Sequence, residues 1–384
     1  MRMDCAIVGI GQSEVARKSE MTSVELGLRA AVAAIADAGL NKSDIDGVIT
    51  QQVRTNPQAN NSSLLAQRLG ITPHYVNETS LSGGAPAAMI ANAVAAIRAG
   101  LCTTVLCTSG GGEQPLSREG KGWGRLSTGW EDFMNPFGAG AAPVSYALGA
   151  MRHMHLYGTT SRQFGAVAVA CRKHAALNPD AVMRKPMTIE DHQASRLLAD
   201  PYRLFDCCVP ATGAGAVIVT SGDRARDLAR LPVGIEGMGA SSLFATLEHA
   251  PELATSAACG AARRAYAMAG LKPADIDVAE LYDPFTSVVL VTLEDYGFCE
   301  KGEGGSFVEG GRIELGGQLP VNTHGGLLSQ GHLGGIAHIT EAVIQLRGDG
   351  GERQVRQART AAVSSQCSQL GMHYTLLLAN EELN

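Results

Sequence analysis

Short apolar runs alternate along the chain with polar, glycine-bearing turns, and this rhythm predicts strands and helices in succession. Ala6–Ile10 is an apolar run ending in glycines and reads as a strand. Thr22-Ser23-Val24-Glu25 then opens a long Ala-rich helix. Thr22 is placed to cap its first turn, and Glu25, three residues on, to reach back to the cap backbone. Gly39 is a stop signal for that helix, and Asp44–Thr50 leads into the next strand.

The same phrase returns in the second part of the chain. Ala38-Gly39-Leu40-Asn41-Lys42-Ser43-Asp44-Ile45-Asp46 matches Ala269-Gly270-Leu271-Lys272-Pro273-Ala274-Asp275-Ile276-Asp277 at a constant offset. Each copy follows an Ala-rich helix and precedes a strand. Glycine-bearing strands lie upstream of both, at Val8-Gly9-Ile10-Gly11 and Val233-Gly234-Ile235-Glu236-Gly237. Downstream, Gly83-Gly84 opens an apolar helix over Ala85–Arg98, and Gly334-Gly335 opens one over Ile336–Arg347. A repeat this long predicts a duplicated α/β unit with helices on both faces of a sheet, since solenoid periods are about 20–50 residues.

Extra material lies between the copies. Gly110–Asp206 holds Trp123, Trp130, the loop-like Asn135-Pro136-Phe137-Gly138-Ala139-Gly140, and helical patterns from Ser145 and Ser161. It interrupts the first copy, whose last strand is read at Gly213–Thr220. An insertion of this size is either a lid or binding element, or a packing or dimerisation element.

Composition narrows the class. The chain has 384 residues, 45% of them hydrophobic and 18% charged, enough apolar content for a substantial core. A net charge of −6 argues against nucleic-acid binding. No apolar run is long enough to span a membrane, and Asp4 interrupts the opening where a secretory leader needs apolar residues. Nine cysteines without framework spacing fit reduced thiols, so a cytoplasmic protein is expected.

Four turns carry candidate chemistry. In Val76–Gly84 a hydroxyl stands at the start of a helix, where anions are stabilised, although Ser82 also reads as a plain N-cap. Glu280-Leu281-Tyr282-Asp283-Pro284-Phe285-Thr286 follows a strand, where open α/β sheets place their chemistry. Tyr282 and Asp283 are there either an acid with its orienting partner or a turn fixed by Asp283. Asn322–Gly335 packs His324, His332 and glycines into one loop, which suits close approach of backbone amides and an imidazole to a ligand. His332 falls almost opposite Ser80 in the internal alignment, so two helix starts are expected to face one cleft. In Ser364–Met372, Cys367 is either an acid/base or nucleophile or an inert buried thiol. Gly9-Ile10-Gly11 lacks the rest of a dinucleotide fingerprint, and His153, His155, Cys207 and Cys208 lack the further ligands of a zinc site.

With these residues in place, the chain resembles the thiolases, in their sterol-carrier-protein-type branch, over essentially its whole length. The resemblance rests on the duplicated core, on Arg152–Thr160, on Asn178-Pro179-Asp180, and above all on Asn322-x-x-Gly325-Gly326-x-x-x-x-Gly331-His332. It implies an α/β thiolase fold: duplicated βαβαβαββ halves in a layered α-β-α-β-α arrangement with an inserted loop domain. Residues 1–110 with 206–228 would form the N-terminal half, 111–205 the inserted domain, and 229–384 the C-terminal half. It also implies that His332 helps form an oxyanion hole for a thioester carbonyl.

The departures redirect the chemistry. Ser80 stands where thiolases carry their nucleophilic cysteine, and Tyr282-Asp283-Pro284-Phe285 where the branch has H-D-C-F. Leu333 replaces a proline, and Gln369 replaces the glycine after Cys367, which matches the second thiolase cysteine. A tyrosine in that place resembles the thiolase-like lipid-transfer-protein aldolases of steroid side-chain breakdown. Those cleave β-hydroxyacyl-CoA by retro-aldol chemistry without an acyl-enzyme, beside a small partner with an OB fold and a zinc ribbon. The implied activity is therefore C–C bond cleavage or formation on acyl-CoA thioesters. His332 would hold the thioester oxygen, Tyr282 act as acid/base oriented by Asp283, Cys367 be a second proton-transfer group, and Ser80 line the site. A coenzyme A thioester is the expected substrate, with no bound cofactor or metal, in a homodimer or tetramer. The alternatives are a conventional acetyl-CoA acyltransferase with the acyl group on Ser80 or Cys367, and a non-catalytic acyl-CoA-binding subunit.

Overall fold

A computed structural model describes residues 4–52, 60–111, 136, 138, 142–367 and 369–380. Its strands are β1 (Cys5–Gln12), β2 (Gly47–Gln51), β3 (Tyr75–Thr79), β4 (Thr104–Gly111), β5 (Leu197–Ala199), β6 (Tyr202–Arg203), β7 (Gly213–Ser221), β8 (Val233–Ser242), β9 (Val278–Glu280), β10 (Thr360–Cys367) and β11 (Met372–Asn380). The longer helices are α1 (Ser23–Asp37), α2 (Asn61–Leu69), α3 (Ala85–Arg98), α4 (Ala142–Tyr157), α5 (Ser161–Ala176), α6 (Ala258–Ala269), α7 (Thr286–Asp295) and α8 (Ile336–Arg347). Trp123, Trp130 and most of Asn135–Gly140 lie outside the described residues.

Nine strands share one sheet in the order β3-β2-β4-β7-β1-β8-β11-β10-β9, while β5 and β6 form a separate hairpin. The β1–β8 joint is narrow, pairing only Ala6 with Gly234 and Ile7 with Val233. β2 runs parallel to β3 and β4, and β9 parallel to β10; the other sheet pairs are antiparallel.

Among the described residues, three large apolar cores follow, with a small fourth around Ala168, Val169 and Met187. α1 and α2 cover Val8, Val48, Leu106 and Ile218 on one face. α5, α6 and α7 bury Phe164, Ala265 and Val289 against Ala279, Ala362 and Leu377. α3 and α8 share the middle core, where Met89 and Ile339 meet Ile49, Val105 and Val217 from one end of the sheet and Val363 and Leu376 from the other. A pair of helices can touch both ends of one sheet only if the sheet folds around them.

Glycines in β1 and β8 set how closely the outer helices lie. A Cβ on Gly9 or Gly11 would overlap the α1 backbone at Ala34 or Ala30, and one on Gly237 or Gly239 would overlap α6 at Ala265 or Ala261. Ala-rich helices on Gly-bearing strands thus pack backbone to backbone, which accounts for Gly9-Ile10-Gly11 without a nucleotide.

Several helix starts stand where the sequence puts them. Thr22 accepts from Glu25 N at 3.3 Å while Thr22 N donates to the Glu25 carboxylate at 2.8 Å. α3 and α8 begin directly after their glycine pairs. Ser82 is not an N-cap. The cap position of α3 is Gly84, and Ser82 opens a 3-10 turn with φ 45° and no side-chain cap bond. A capping side chain needs extended backbone to reach the free amides, and the left-handed turn at Ser82 denies it that geometry.

Among the described residues, no cluster of three or more His, Cys, Asp or Glu side chains is placed to hold a metal, and no helix is long and apolar enough to cross a membrane. His153 is instead buried between Thr159 and Glu294.

His373 on β11 is fully buried beside the Tyr296 hydroxyl, 2.9 Å away. Burial lowers its pKa from 6.5 to about 3. The folded state refuses a proton that the unfolded chain accepts, so stability present above the unfolded value is lost as pH falls toward the folded one. Urea unfolding from pH 6.5 to 4 is expected to show a steeper fall in stability for the wild type than for His373→Gln. The difference is up to one proton, about 1.4 kcal/mol per pH unit; equal slopes would refute it.

Candidate active site

β9 ends at Glu280, and the chain continues through Leu281–Phe285 into α7. This segment is laced to the Gly-rich loop that follows it. Leu281 N donates to Asn322 Oδ1 at 2.6 Å, and Asn322 Nδ2 returns to Leu281 O at 2.8 Å. Tyr282 N donates to Ser364 Oγ of β10 at 2.8 Å. The strand end, the loop and β10 are thereby fixed in one register.

The Tyr282 phenol enters between the starts of α3 and α8. A Cβ on Gly83 would overlap its hydroxyl, and one on Gly335 would stand 3.0 Å from its ring. The two glycine pairs leave the space that the phenol fills. There its oxygen lies 3.2 Å from His332 Nε2, the rings edge to face. His332 N is held by Val209 O at 2.8 Å, and Gly334 N donates to Nδ1 at 3.4 Å. With Nδ1 accepting, Nε2 carries the hydrogen and points it at the phenol oxygen. Burial, with Tyr146, Cys208, Asp283 and Cys367 nearby, raises the Tyr282 pKa well above the ordinary phenol value, so the phenol is neutral.

Asp283 takes another place than the sequence reading gave it. Its carboxylate turns away from the phenol and accepts from Leu327 N at 2.8 Å and Leu328 N at 3.3 Å, and it meets His338 Nε2 at 3.0 Å. Gly326 makes room for it, since a Cβ there would collide with the carboxylate. Asp283 thus anchors the loop that leads to His332. Behind it, His324 Nδ1 lies 2.8 Å from Glu280 Oε2, in ion-pair contact without hydrogen-bond alignment. The His324 and His338 rings meet edge to face at 4.8 Å. Burial alone would lower the His324 pKa, but Glu280, Glu341 and Asp283 outweigh it and raise it. Three residues of one strand end, Glu280, Tyr282 and Asp283, therefore each face a histidine.

Cys367 ends β10, half-buried, with its Cβ 3.8 Å from where a Cβ on Gly84 would stand. Ser80 is exposed just after β3, three residues ahead of Gly83. Its hydroxyl makes no hydrogen bond to Tyr282, His332 or Cys367 among the described residues. The strand ends of β2 and β4 brace this turn, where Ser109 Oγ donates to Gln51 Oε1 at 2.5 Å and Gln51 Nε2 to Ser82 O at 3.0 Å. The structure therefore brings Tyr282 and His332 into contact, sets Cys367 beside the helix start they share, and leaves Ser80 at its edge.

Sequence reasoning missed His338, which sits inside an apolar helix pattern, and Tyr146, which lies on α4. The Tyr146 ring packs on Phe285 at 4.7 Å, and its hydroxyl accepts from Gln366 Nε2 at 3.2 Å. Its place one residue after the helical pattern starting at Ser145 was the available signal. Burial pushes the thiol of Cys208, also nearby, up to about 12.

Comparison with known proteins follows this geometry. Residues 239–380 match the family model described as Thiolase C-terminal domain-like. The chain is 42% identical over 356 residues to a 17-hydroxy-3-oxo-4-pregnene-20-carboxyl-CoA lyase of Mycobacterium tuberculosis, covering 89% of this chain and 91% of the relative. It is 38% identical to a steroid side-chain-cleaving aldolase of Thermomonospora curvata, covering 89% of this chain and 90% of that one. The solved Ltp2-ChsH2(DUF35) aldolase superimposes with a TM-score of 0.91 at 35% identity, covering 100% of this chain and 99% of the solved one.

Gly83→Ala is expected to destabilise the protein by about 1–3 kcal/mol, the usual cost of an overpacked core. In a Tyr282→Ala background the same change should cost less, because the colliding phenol is gone and only the Gln366 carbonyl oxygen, 2.7 Å away, still opposes it. Chemical denaturation of the four proteins of this cycle measures both, and an equal cost in the two backgrounds would refute the wedge.

Proposed function

The chain belongs to the thiolase superfamily, in its SCP2-thiolase-like and aldolase branch, and from that premise we propose that it is a lyase of retro-aldol type acting on steroid or lipid acyl-CoA thioesters. The observation that carries this reading is the contact of the Tyr282 phenol with His332, beside a helix start where Ser80 replaces a nucleophilic thiol. A hydroxyl there lacks the readily formed thiolate that makes an acyl-enzyme, whereas a phenol and an imidazole N–H suffice to move one proton and hold one oxyanion.

His332 Nε2–H, already aimed at an oxygen, is the donor for the thioester oxygen as enolate charge develops. Two helix starts lie beside it, and the positive ends of their dipoles favour that charge. Tyr282 handles the β-hydroxyl proton. Neutral in the free site, it donates to the alkoxide in bond formation and is left as phenolate. By microscopic reversibility cleavage starts from that phenolate, formed by loss of its proton to water and stabilised by His332 N–H; the phenolate then takes the β-hydroxyl proton and ends neutral. Asp283 acts by anchoring the His332 loop. Cys367 is a second proton-transfer group and Ser80 a polar lining residue.

We read residues 1–110 with 206–228 and residues 229–384 as two copies of one βαβαβαββ unit layered α-β-α-β-α, with 111–205 inserted. The mirrored strand order on either side of β1 and β8 supports this. A homodimer or tetramer in the cytoplasm, working with a small OB-fold and zinc-ribbon protein and without a bound cofactor, completes the proposal. The paired name of the similar solved aldolase supports the partner.

The test is cleavage of 17-hydroxy-3-oxo-4-pregnene-20-carboxyl-CoA, the compound in the relative's name, by the purified chain with and without such a partner. A steroid ketone and a shortened acyl-CoA are expected, with no acyl adduct on the protein by mass spectrometry. His332→Ala should lower turnover about 10²–10³-fold, the usual cost of losing an oxyanion donor. An adduct on Ser80 or Cys367 would turn the reading to a conventional acyltransferase, and unchanged turnover in His332→Ala would remove the oxyanion assignment.

A further inference from the structure

Retro-aldol cleavage moves two protons: one leaves the β-hydroxyl and one must reach Cα of the enolate. We propose, resting on the reading above, that Tyr146 of the inserted segment is a further catalytic residue, the acid that protonates the enolate carbon. Its hydroxyl oxygen is fixed by the Gln366 Nε2 donor at 3.2 Å, and its own proton has no acceptor among the described residues. Gln366 Oε1 beside it is buried and unpartnered, so a donor and an acceptor stand uncommitted side by side. The buried phenols of Tyr202 and Tyr296 are committed, to Ser287 Oγ at 2.5 Å and to His373 and Thr375, while the Tyr266 hydroxyl, unpartnered among the described residues, lies on α6.

Gln366 also ties Tyr146 to the reacting pair. A Cβ on Gly83 would overlap the Tyr282 hydroxyl and stand 2.7 Å from the Gln366 carbonyl oxygen, so one residue borders both phenols. Phe285, three residues after Tyr282, holds the Tyr146 ring at 4.7 Å. Tyr146 is itself among the charge neighbours of Tyr282, and Cys208 and Cys367 neighbour both phenols.

The step balances. The β-hydroxyl proton passes to Tyr282 in its phenolate form, which becomes the neutral phenol as the product carbonyl forms; the electrons of the Cα–Cβ bond enter the thioester enolate beside His332, and Tyr146 delivers its proton to Cα. The Gln366 N–H stabilises the phenolate left on Tyr146. Turnover leaves Tyr282 as the phenol and Tyr146 as the phenolate, so passage of one proton from Tyr282 to Tyr146 through water restores the reacting state with no other reagent. The inserted segment then supplies chemistry, not only cover.

The test compares wild type with Tyr146→Phe, which keeps the ring on Phe285. The readouts are cleavage of the steroid acyl-CoA named above and deuterium uptake at Cα of propionyl-CoA, the acyl-CoA that cleavage would release, in D2O. Expected for the variant are a kcat about 100-fold lower, within the range for one general acid, KM within about threefold, lost deuterium uptake, and an unchanged thermal midpoint. A variant that cleaves and exchanges like the wild type overturns the Tyr146 assignment alone. A wild type that neither cleaves nor exchanges, with or without a partner, overturns the retro-aldol reading and this assignment with it.

Discussion

A phenol can stand between the starts of two helices only where neither helix offers a Cβ. Gly83 and Gly335 meet that condition, and Tyr282 occupies the gap they leave. The contact fixes how closely α3 and α8 approach in the central core, and with it how the sheet closes around them. It also brings the positive ends of both helices to the phenol oxygen and to His332, so the packing constraint and the electrostatics of the site have one origin.

Behind the phenol, polarity is buried deeply; the carboxylates are laced to cations and amides, while both His324 ring nitrogens and His338 Nδ1 make no hydrogen bond among the described residues. Glu341 is held by Arg353, Thr323 and Gln345, Asp283 by two amides and His338, and Asn322 by Leu281. Buried charges are costly to desolvate and add little net stability. Here they lock a glycine-rich loop that would otherwise sample many conformations. Asn322, at φ 53°, holds a left-handed backbone shape uncommon for a residue with a side chain, and its bonds to Leu281 help keep it there. A rigid loop is what an oxyanion donor needs, because a donor that must reorganise during the reaction loses much of its effect.

The arrangement also explains how one scaffold changes reaction. A nucleophilic thiol at a helix start makes a covalent acyl intermediate. With a hydroxyl at Ser80 and a phenol wedged beside His332, the roles we propose for the site are an oxyanion donor and proton carriers. Those are the requirements of breaking a C–C bond next to a thioester, where charge passes through an enolate and no acyl group needs to be held.

Much of this was legible in the chain itself. The Thr22–Glu25 box, the glycine pairs ahead of α3 and α8 and the strand before Glu280 follow from local rules, because caps, stops and apolar periods act over a few residues; the roles expected of His332 and Tyr282 came from the family resemblance. The family resemblance added the missing thiol at Ser80. What only the tertiary structure decided depends on contacts far apart in sequence. Ser82 loses its cap role to a left-handed turn, and Asp283 anchors the His332 loop and pairs with His338 in place of orienting the phenol. Tyr146, more than a hundred residues from Tyr282, reaches the site through Gln366. Local propensity can place a residue on a helix or a turn, but which way its side chain faces is set by packing among distant segments, and no short-range pattern encodes that.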